Sequence, residues 1–152
     1  MITHELEIRI NRPVEDVFAA LTDLTTYPRW QPGLMEYRQT SAGPLAVGST
    51  GIAIRTVMGQ RTESTWQVTE LTSPTTYTVK GTSSPLAYEI AHTLQPAGDD
   101  DTTLHMRFQA QPTGLLKIAE PVLAGAIKRD FEEGHQHLKA LLEGEPARKV
   151  SR

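Results

Sequence analysis

The sequence predicts an α+β domain in which one antiparallel sheet packs on a long C-terminal helix, and three observations lead there. Residues 2–10 alternate strictly, with Ile2, His4, Leu6, Ile8 and Ile10 on one side and Thr3, Glu5, Glu7 and Arg9 on the other, the period of a strand with one buried face. Between Met35 and Gln111 the chain is a succession of strand-like runs separated by turn residues, the pattern of an antiparallel meander. After Gln111 the apolar residues recur every three or four positions, the period of a helix.

The first element is thus a strand ending near Ile10. In "NRPVEDVFAALTD" the period changes. Asn11 is the expected N-cap, Pro13 suits the first turn, and Glu15 and Asp16 complement the N-terminal dipole. Val14, Val17, Phe18 and Leu21 form the apolar stripe of a short helix that ends near Asp23. "DLTTYPRWQPG" then reads as a connector, with two prolines and a glycine, yet it holds Tyr27 and Trp30 in a chain that is only 6% aromatic. The predicted strands that follow are Met35–Thr40, Ser49–Met58, Arg61–Thr72, Thr75–Lys80, Leu86–Leu94 and Thr102–Gln111. Leu115, Ile118, Val122, Leu123, Ala126, Ile127, Phe131, Leu138, Leu141 and Leu142 carry the helical period. Pro121 interrupts it, since proline has no N–H to continue a helix. The expectation is a turn at Leu115–Glu120, a helix from about Pro121 to Glu143 stopped by Gly144, and a frayed tail at 145–152.

Residues opposite one another across a hairpin share a face of the sheet. A three-residue loop, Met58-Gly59-Gln60, sets Ile52 against Trp66, Ile54 against Ser64 and Arg55 against Glu63 as a solvent-side charge pair. A two-residue loop gives the two isoleucines polar partners, so three residues are expected. Continuing, Val68 meets Tyr77, Tyr77 meets Tyr88, Ile90 meets Phe108, His92 meets Met106 and Leu94 meets Leu104. One face collects Ile52, Ile54, Trp66, Val68, Tyr77, Val79, Tyr88, Ile90, His92, Met106 and Phe108. The other carries Arg55, Glu63, Lys80, Glu89, His105 and Arg107.

At 152 residues with 38% apolar and 22% charged side chains, one domain spanning 1–144 is expected. A net charge of −3 argues against nucleic acid as a partner. The absence of cysteine removes disulfides and thiolate metal sites. The start, "MITHELEIRI", has no signal-type apolar core, and no run reaches the roughly 18 apolar residues of a membrane span. A cytoplasmic protein without membrane insertion is expected. Asp99-Asp100-Asp101 lacks the ligand spacing of a calcium loop and reads as a solvated hairpin tip.

"INRPVEDVFAALTDLTTYPRW", "VGSTG", "WQVTEL", "AHTLQP" with "TTLHMRF", and "HLKALLE" together resemble the START/Bet v 1-like superfamily, and within it the polyketide cyclase/dehydrase-type family of small bacterial proteins. The likeness covers almost the whole chain. It implies a helix-grip fold, a curved sheet of about seven strands around the long helix, with "TTYPRW" as a second short helix closing one end of a cavity. Its motifs are structural, so no catalytic residue is carried over.

In such a fold the cavity wall would be Ile54, Trp66, Tyr77, Tyr88, His92 and Phe108 from the sheet and Val122, Leu123, Ile127 and Phe131 from the helix, with Trp30 at its mouth or packed as an anchor. These residues either enclose a ligand site or fill the space with one another. His92 is the leading titratable candidate, as a general acid or base or as a hydrogen-bonded lining residue, with Tyr77 and Tyr88 beside it. His4 is weaker, since a strand start tends to emerge into solvent. Two strands at about 4.8 Å each separate His4 from His92 by roughly 10 Å in the family's strand order, too far to share a metal. His135 and His137 point to different sides of a helix. No metal and no cofactor are expected. The partner is a small hydrophobic molecule (a lipid, polyketide or aromatic metabolite), and the chain is a monomer or homodimer. The function is binding of that molecule or, alternatively, cofactor-independent cyclase, aromatase or dehydratase chemistry on it. An interaction module ranks third, because the outer face is mixed in sign.

Overall fold

In the computed structural model the alternating start of the chain forms strand β1 (Ile2–Ile10). Helix α1 (Val14–Thr22) follows, then a 3-10 turn (Leu24–Thr26) and the short helix α2 (Tyr27–Trp30). The strands are β2 (Leu34–Gln39), β3 (Thr50–Val57), β4 (Gln60–Thr72), β5 (Thr76–Gly81), β6 (Leu86–Pro96) and β7 (Thr102–Pro112). Helix α3 (Leu115–Ile118) leads into the long helix α4 (Glu120–Val150). The structure describes residues 1–144 except 58 and 84, together with the backbone of 145–150. Of the expected tail at 145–152, residues 151–152 and the side chains of 145–150 lie outside the described residues, and helical backbone continues past Gly144, where a stop was expected.

One seven-stranded antiparallel sheet runs in the order β1-β7-β6-β5-β4-β3-β2, so that β1 closes against β7 at the far edge from β2. Its concave side faces α4, the helix-grip arrangement. The predicted pairs Ile90↔Phe108, His92↔Met106 and Leu94↔Leu104 are all present. Ile10, Trp66, Val68, Tyr77, Leu94 and Leu104 share a core with Leu138 and Leu142 of α4. A second apolar cluster joins Ile2, Met106, Phe108 and Ala110 to Leu123.

Three local expectations change. Asn11 does not cap α1. Pro13 occupies that position, and the Asn11 N–H donates instead to Glu143 Oε2 at 2.9 Å. Irregular register between Val68 and Glu70 sets Val68 opposite Val79 and Leu71 opposite Tyr77, while Tyr77 faces His92 and Tyr88 faces Gly81. These pairs differ from expectation, but the side chains stay on the expected face.

The β3–β4 hairpin changes more. Val57 pairs with Gln60, leaving two residues between the strands instead of three. Every residue of β3 is thereby turned over, because side chains alternate with a period of two. Gly51, Ala53, Arg55 and Val57 face inward, while Ile52 and Ile54 face out. Ala53 and Val57 accordingly belong to the two core clusters. Ile54 is buried but opposite Glu63, and the expected Arg55–Glu63 pair does not form, since Arg55 lies opposite Thr62.

Candidate functional site

The connector from Asp23 to Gly33 is held at both ends. The Asp23 carboxylate accepts from the Thr25 N–H at 3.2 Å and from its hydroxyl at 2.6 Å, which fixes the turn before α2. The Tyr27 hydroxyl donates to the Leu21 carbonyl. Trp30 packs edge-on to Tyr27 with centroids 5.2 Å apart. Gly33 has φ +74°, and a Cβ there would lie 2.8 Å from the Thr56 carbonyl oxygen, so the chain can pass this close to β3 only with glycine. On the other side, a Cβ on Gly134 of α4 would come within 3.2 Å of the Trp30 carbonyl oxygen. Tyr27 and Trp30 are both buried, wedged between sheet and helix.

Beyond them the concave wall is aromatic. Trp66 stacks on Tyr37 at 4.9 Å with planes 3° apart, and Tyr37 meets Tyr27 at 4.6 Å. The Trp66 indole can lie flat across β3 because Gly51 has no side chain: a Cβ there would stand 2.1 Å from the ring. Tyr88 crosses Gly81 in the same way, again at 2.1 Å. Phe108 carries the wall on to Phe131 of α4, with centroids 4.9 Å apart.

Burial raises the phenol pKa values of Tyr27 and Tyr37 well above the ordinary 10, and those of Tyr88 and Tyr77, the last to about 12, so all four are neutral donors at physiological pH. Tyr37 and Tyr88 nevertheless keep part of their surface accessible, as do Ile90, Ile127 and Phe131. These five side chains lie on the concave face between sheet and helix and are its incompletely covered members. The Tyr77 hydroxyl and the Trp30 indole N–H are buried without hydrogen-bond partners among the described residues, a cost that a polar group of a ligand or an ordered water would offset.

His92, only 8% exposed, meets His135 of α4 with 3.0 Å between their Nε2 atoms, and the two rings stack at 5.2 Å. His135 Nδ1 lies 2.8 Å from the Phe131 carbonyl oxygen. A carbonyl only accepts, so Nδ1 carries the proton, Nε2 of His135 is a bare acceptor, and His92 donates to it from its own Nε2. Burial pushes both pKa values down, His92 well below 6.5 with His135 and then His105 adding to it, and His135 to about 4. The pair is neutral near pH 7.

Arg55 is the one cation on the inner face of β3. Its Nη1 donates to Gln31 Oε1 at 2.8 Å. Its charge opposes the rise in pKa of Tyr27, Tyr37, Tyr88 and, across the opening on α4, Asp130.

Of the residues expected in the wall, Trp66, Tyr77, His92, Phe108 and Leu123 lie on the concave side and are buried, Tyr88, Ile127 and Phe131 lie there half-buried, and Trp30 closes one end. Ile54 is corrected to the outer face, and Val122 is 63% exposed. His4 does not emerge into solvent, since its Nε2 sits 3.5 Å from Glu132 Oε2 with the side chain 12% exposed. Sequence reasoning missed Tyr37, Arg55 and His135. His135 did carry a signal, the steps of four and three that separate it from Phe131 and Leu138. An open recess between β1 and α4, about 630 Å³, is lined by Leu6, Ile8 and His135 and by the charged Glu7, Lys128, Arg129, Glu132 and Glu133.

Residues 1–143 match the family model described as polyketide cyclase/dehydrase and lipid transport. The chain belongs to the polyketide cyclase/dehydrase and lipid transport family. No curated protein sequence matches it. Among solved structures, a START superfamily protein from Mycobacterium smegmatis is similar over 95% of this chain and 99% of its own, with a TM-score of 0.80 and 14% identity. The Zhui aromatase/cyclase from Streptomyces sp. R1128 is similar over 94% of both chains, with a TM-score of 0.80 and 13% identity. A conserved protein from Geobacillus kaustophilus covers 95% and 97%, with a TM-score of 0.78 and 18% identity. At such identities these likenesses show that this member of the family has the same fold.

Proposed function

We propose that the protein binds a small hydrophobic molecule in the space between the sheet and α4. The observation that carries this is the group of aromatic side chains, Tyr37, Tyr88 and Phe131, that lie on the concave face toward α4 and still keep accessible surface. Mostly apolar concavities with a few placed polar groups are the usual form of a small-molecule site. Membership of a family described by cyclase, dehydrase and lipid-transport activities supports the same reading. No described helix is long and apolar enough to cross a membrane, and a cytoplasmic location with the ligand held in one domain over residues 1–144 fits it. Native mass spectrometry of freshly purified protein should show an extra mass that is lost on denaturation. A bare native mass, together with no binding of N-phenyl-1-naphthylamine, would sink the proposal.

A second reading, catalysis in the same space, is favoured by the His92–His135 pair. With its Nε2–H given to His135, His92 holds an unprotonated Nδ1 that can take a proton, and the Tyr77 hydroxyl on the neighbouring strand can donate one. Cyclisation and dehydration need such proton movements and no cofactor. Substituting His92→Gln should abolish turnover of a bound polyketone and leave its binding in place. Retained turnover would refute this second reading.

A further inference from the structure

We propose that the molecule bound in the concavity carries a carboxylate, and that Arg55 with Gln31 holds it. This rests on the ligand-binding reading and adds the chemical class of the ligand. Arg55 lies on the inner face of β3 between Ala53, which is fully buried, and Val57, which packs against the cluster containing Tyr88, Ile127 and Phe131. A guanidinium is always charged and presents five N–H donors in a planar fork. The hydrogen bond it makes is from Nη1 to a neutral amide oxygen, and among the described residues no carboxylate lies within ion-pair distance.

A half-buried cation therefore stands on the concave face with no carboxylate in contact, the Asp130 carboxylate of α4 acting on it only from beyond ion-pair distance. One Nη1–H is used on Gln31, and a ligand anion would take up the remaining donors of the fork. Carboxylate is the anion whose flat, two-oxygen shape fits the guanidinium fork, and the pairing is about twice as strong as a neutral hydrogen bond. Gln31 strengthens the assignment. Its Oε1 is turned to Arg55, which leaves its amide N–H groups free to donate to the same anion. Its position is set by Gly33, whose carbonyl accepts from the Thr56 N–H at 2.8 Å and ties the connector to the strand that bears Arg55. The apolar part of the ligand would then lie along Val57, Tyr88 and Phe131.

The test uses the full chain and displacement of N-phenyl-1-naphthylamine by decanoate and by 1-decanol, which share a tail and differ in charge, at neutral pH. Replacing Arg55→Met should weaken decanoate by about tenfold or more and leave 1-decanol and the fluorescent probe within about threefold. Arg55→Lys keeps the charge without the fork and should recover part of the loss. Equal effects of Arg55→Met on acid and alcohol, or no effect on either, would overturn the carboxylate assignment while the cavity stands. If wild-type protein binds neither the probe nor either displacer, the ligand-binding reading itself fails, and this inference with it.

Discussion

Leu138 and Leu142 of α4 are buried against Ile10, Leu94 and Leu104, whereas Ile127 and Phe131, two turns or so earlier on the same helix, keep part of their surface accessible against Phe108 and Ala110. The same two layers meet at both places. At the first, leucine and Trp66 fill the gap and nothing else can enter. At the second, the rings of Tyr88, Phe108 and Phe131 meet but are not all covered, and Arg55 comes in from β3. The amphipathic face of α4 is thus not covered evenly: Leu123 near its start and Leu138 and Leu142 near its end anchor it on the sheet, and the turns between, with Ile127 and Phe131, are less completely covered. His135 sits at the junction of the two.

The sharpest way to break this comparison is to remove bulk from each end. Trp66→Ala takes away a fully buried indole, its stacking on Tyr37 and its hydrogen bond to the Ile52 carbonyl at 3.1 Å. It should cost about 3–5 kcal/mol of unfolding free energy, read from the denaturant midpoint in urea. A loss below about 1 kcal/mol would mean that the anchored end is not solid.

Acid sharpens the junction. His92 and His135 are neutral in the fold, but in the unfolded chain they protonate near pH 6.5, so in acid the unfolded state binds more protons. Stability should be full above about pH 6.5 and fall as the pH drops toward His135's value of about 4, by on the order of 3 kcal/mol from that residue alone. The double variant His92→Gln, His135→Gln should flatten that part of the profile relative to wild type. Parallel profiles for the two proteins would show that the pair does not titrate as the packing requires.

Two glycines make a matched test. At Gly51 a new Cβ meets both the Trp66 ring and the Arg38 carbonyl oxygen at 2.2 Å, in the packed region, so Gly51→Ala should destabilise by about 1–3 kcal/mol. At Gly81 the clash is with Tyr88, which borders the open space and can swing aside. Gly81→Ala should cost less than Gly51→Ala and chiefly weaken N-phenyl-1-naphthylamine binding. Equal losses of stability would erase the distinction between the ends. The smallest effect on stability is expected from Phe131→Ala, about 1 kcal/mol for a half-buried ring, with clear loss of probe binding measured by fluorescence titration.

Much of the fold could be read from residue order. Alternation assigned the faces of β1, β5, β6 and β7 correctly, and even where partners were wrong, as for Tyr77, the face was unchanged: on β6 the partner moved by four residues, from Tyr88 to His92, and on β4 the move from Val68 to Leu71 spans the irregularity between Val68 and Glu70, which absorbs the odd residue. At the β3–β4 hairpin alternation alone does not decide the face. Choosing the loop that paired Ile52 with Trp66 maximised apolar matching, but the native hairpin is one residue shorter, and that single residue exchanged Ile54 for Arg55 on the inner face. What favours the shorter loop is not apolar pairing on β3 at all. It is the Trp66 ring, which needs a strand partner with no side chain, and Gly51 supplies it.

By itself, then, the sequence determined the periods of its elements, the order of a meander followed by a helix, and the family to which those motifs belong. These are local properties, set by which side chains repeat every two or every three to four positions. Only the tertiary structure decided that His92 meets His135 from 43 residues away, that Arg55 turns inward toward Gln31, and that Ile127 and Phe131 of α4 are less covered than Leu123 and Leu138 on either side. Each of these depends on how two distant surfaces fit in three dimensions, where one added residue or one missing Cβ changes which groups face each other.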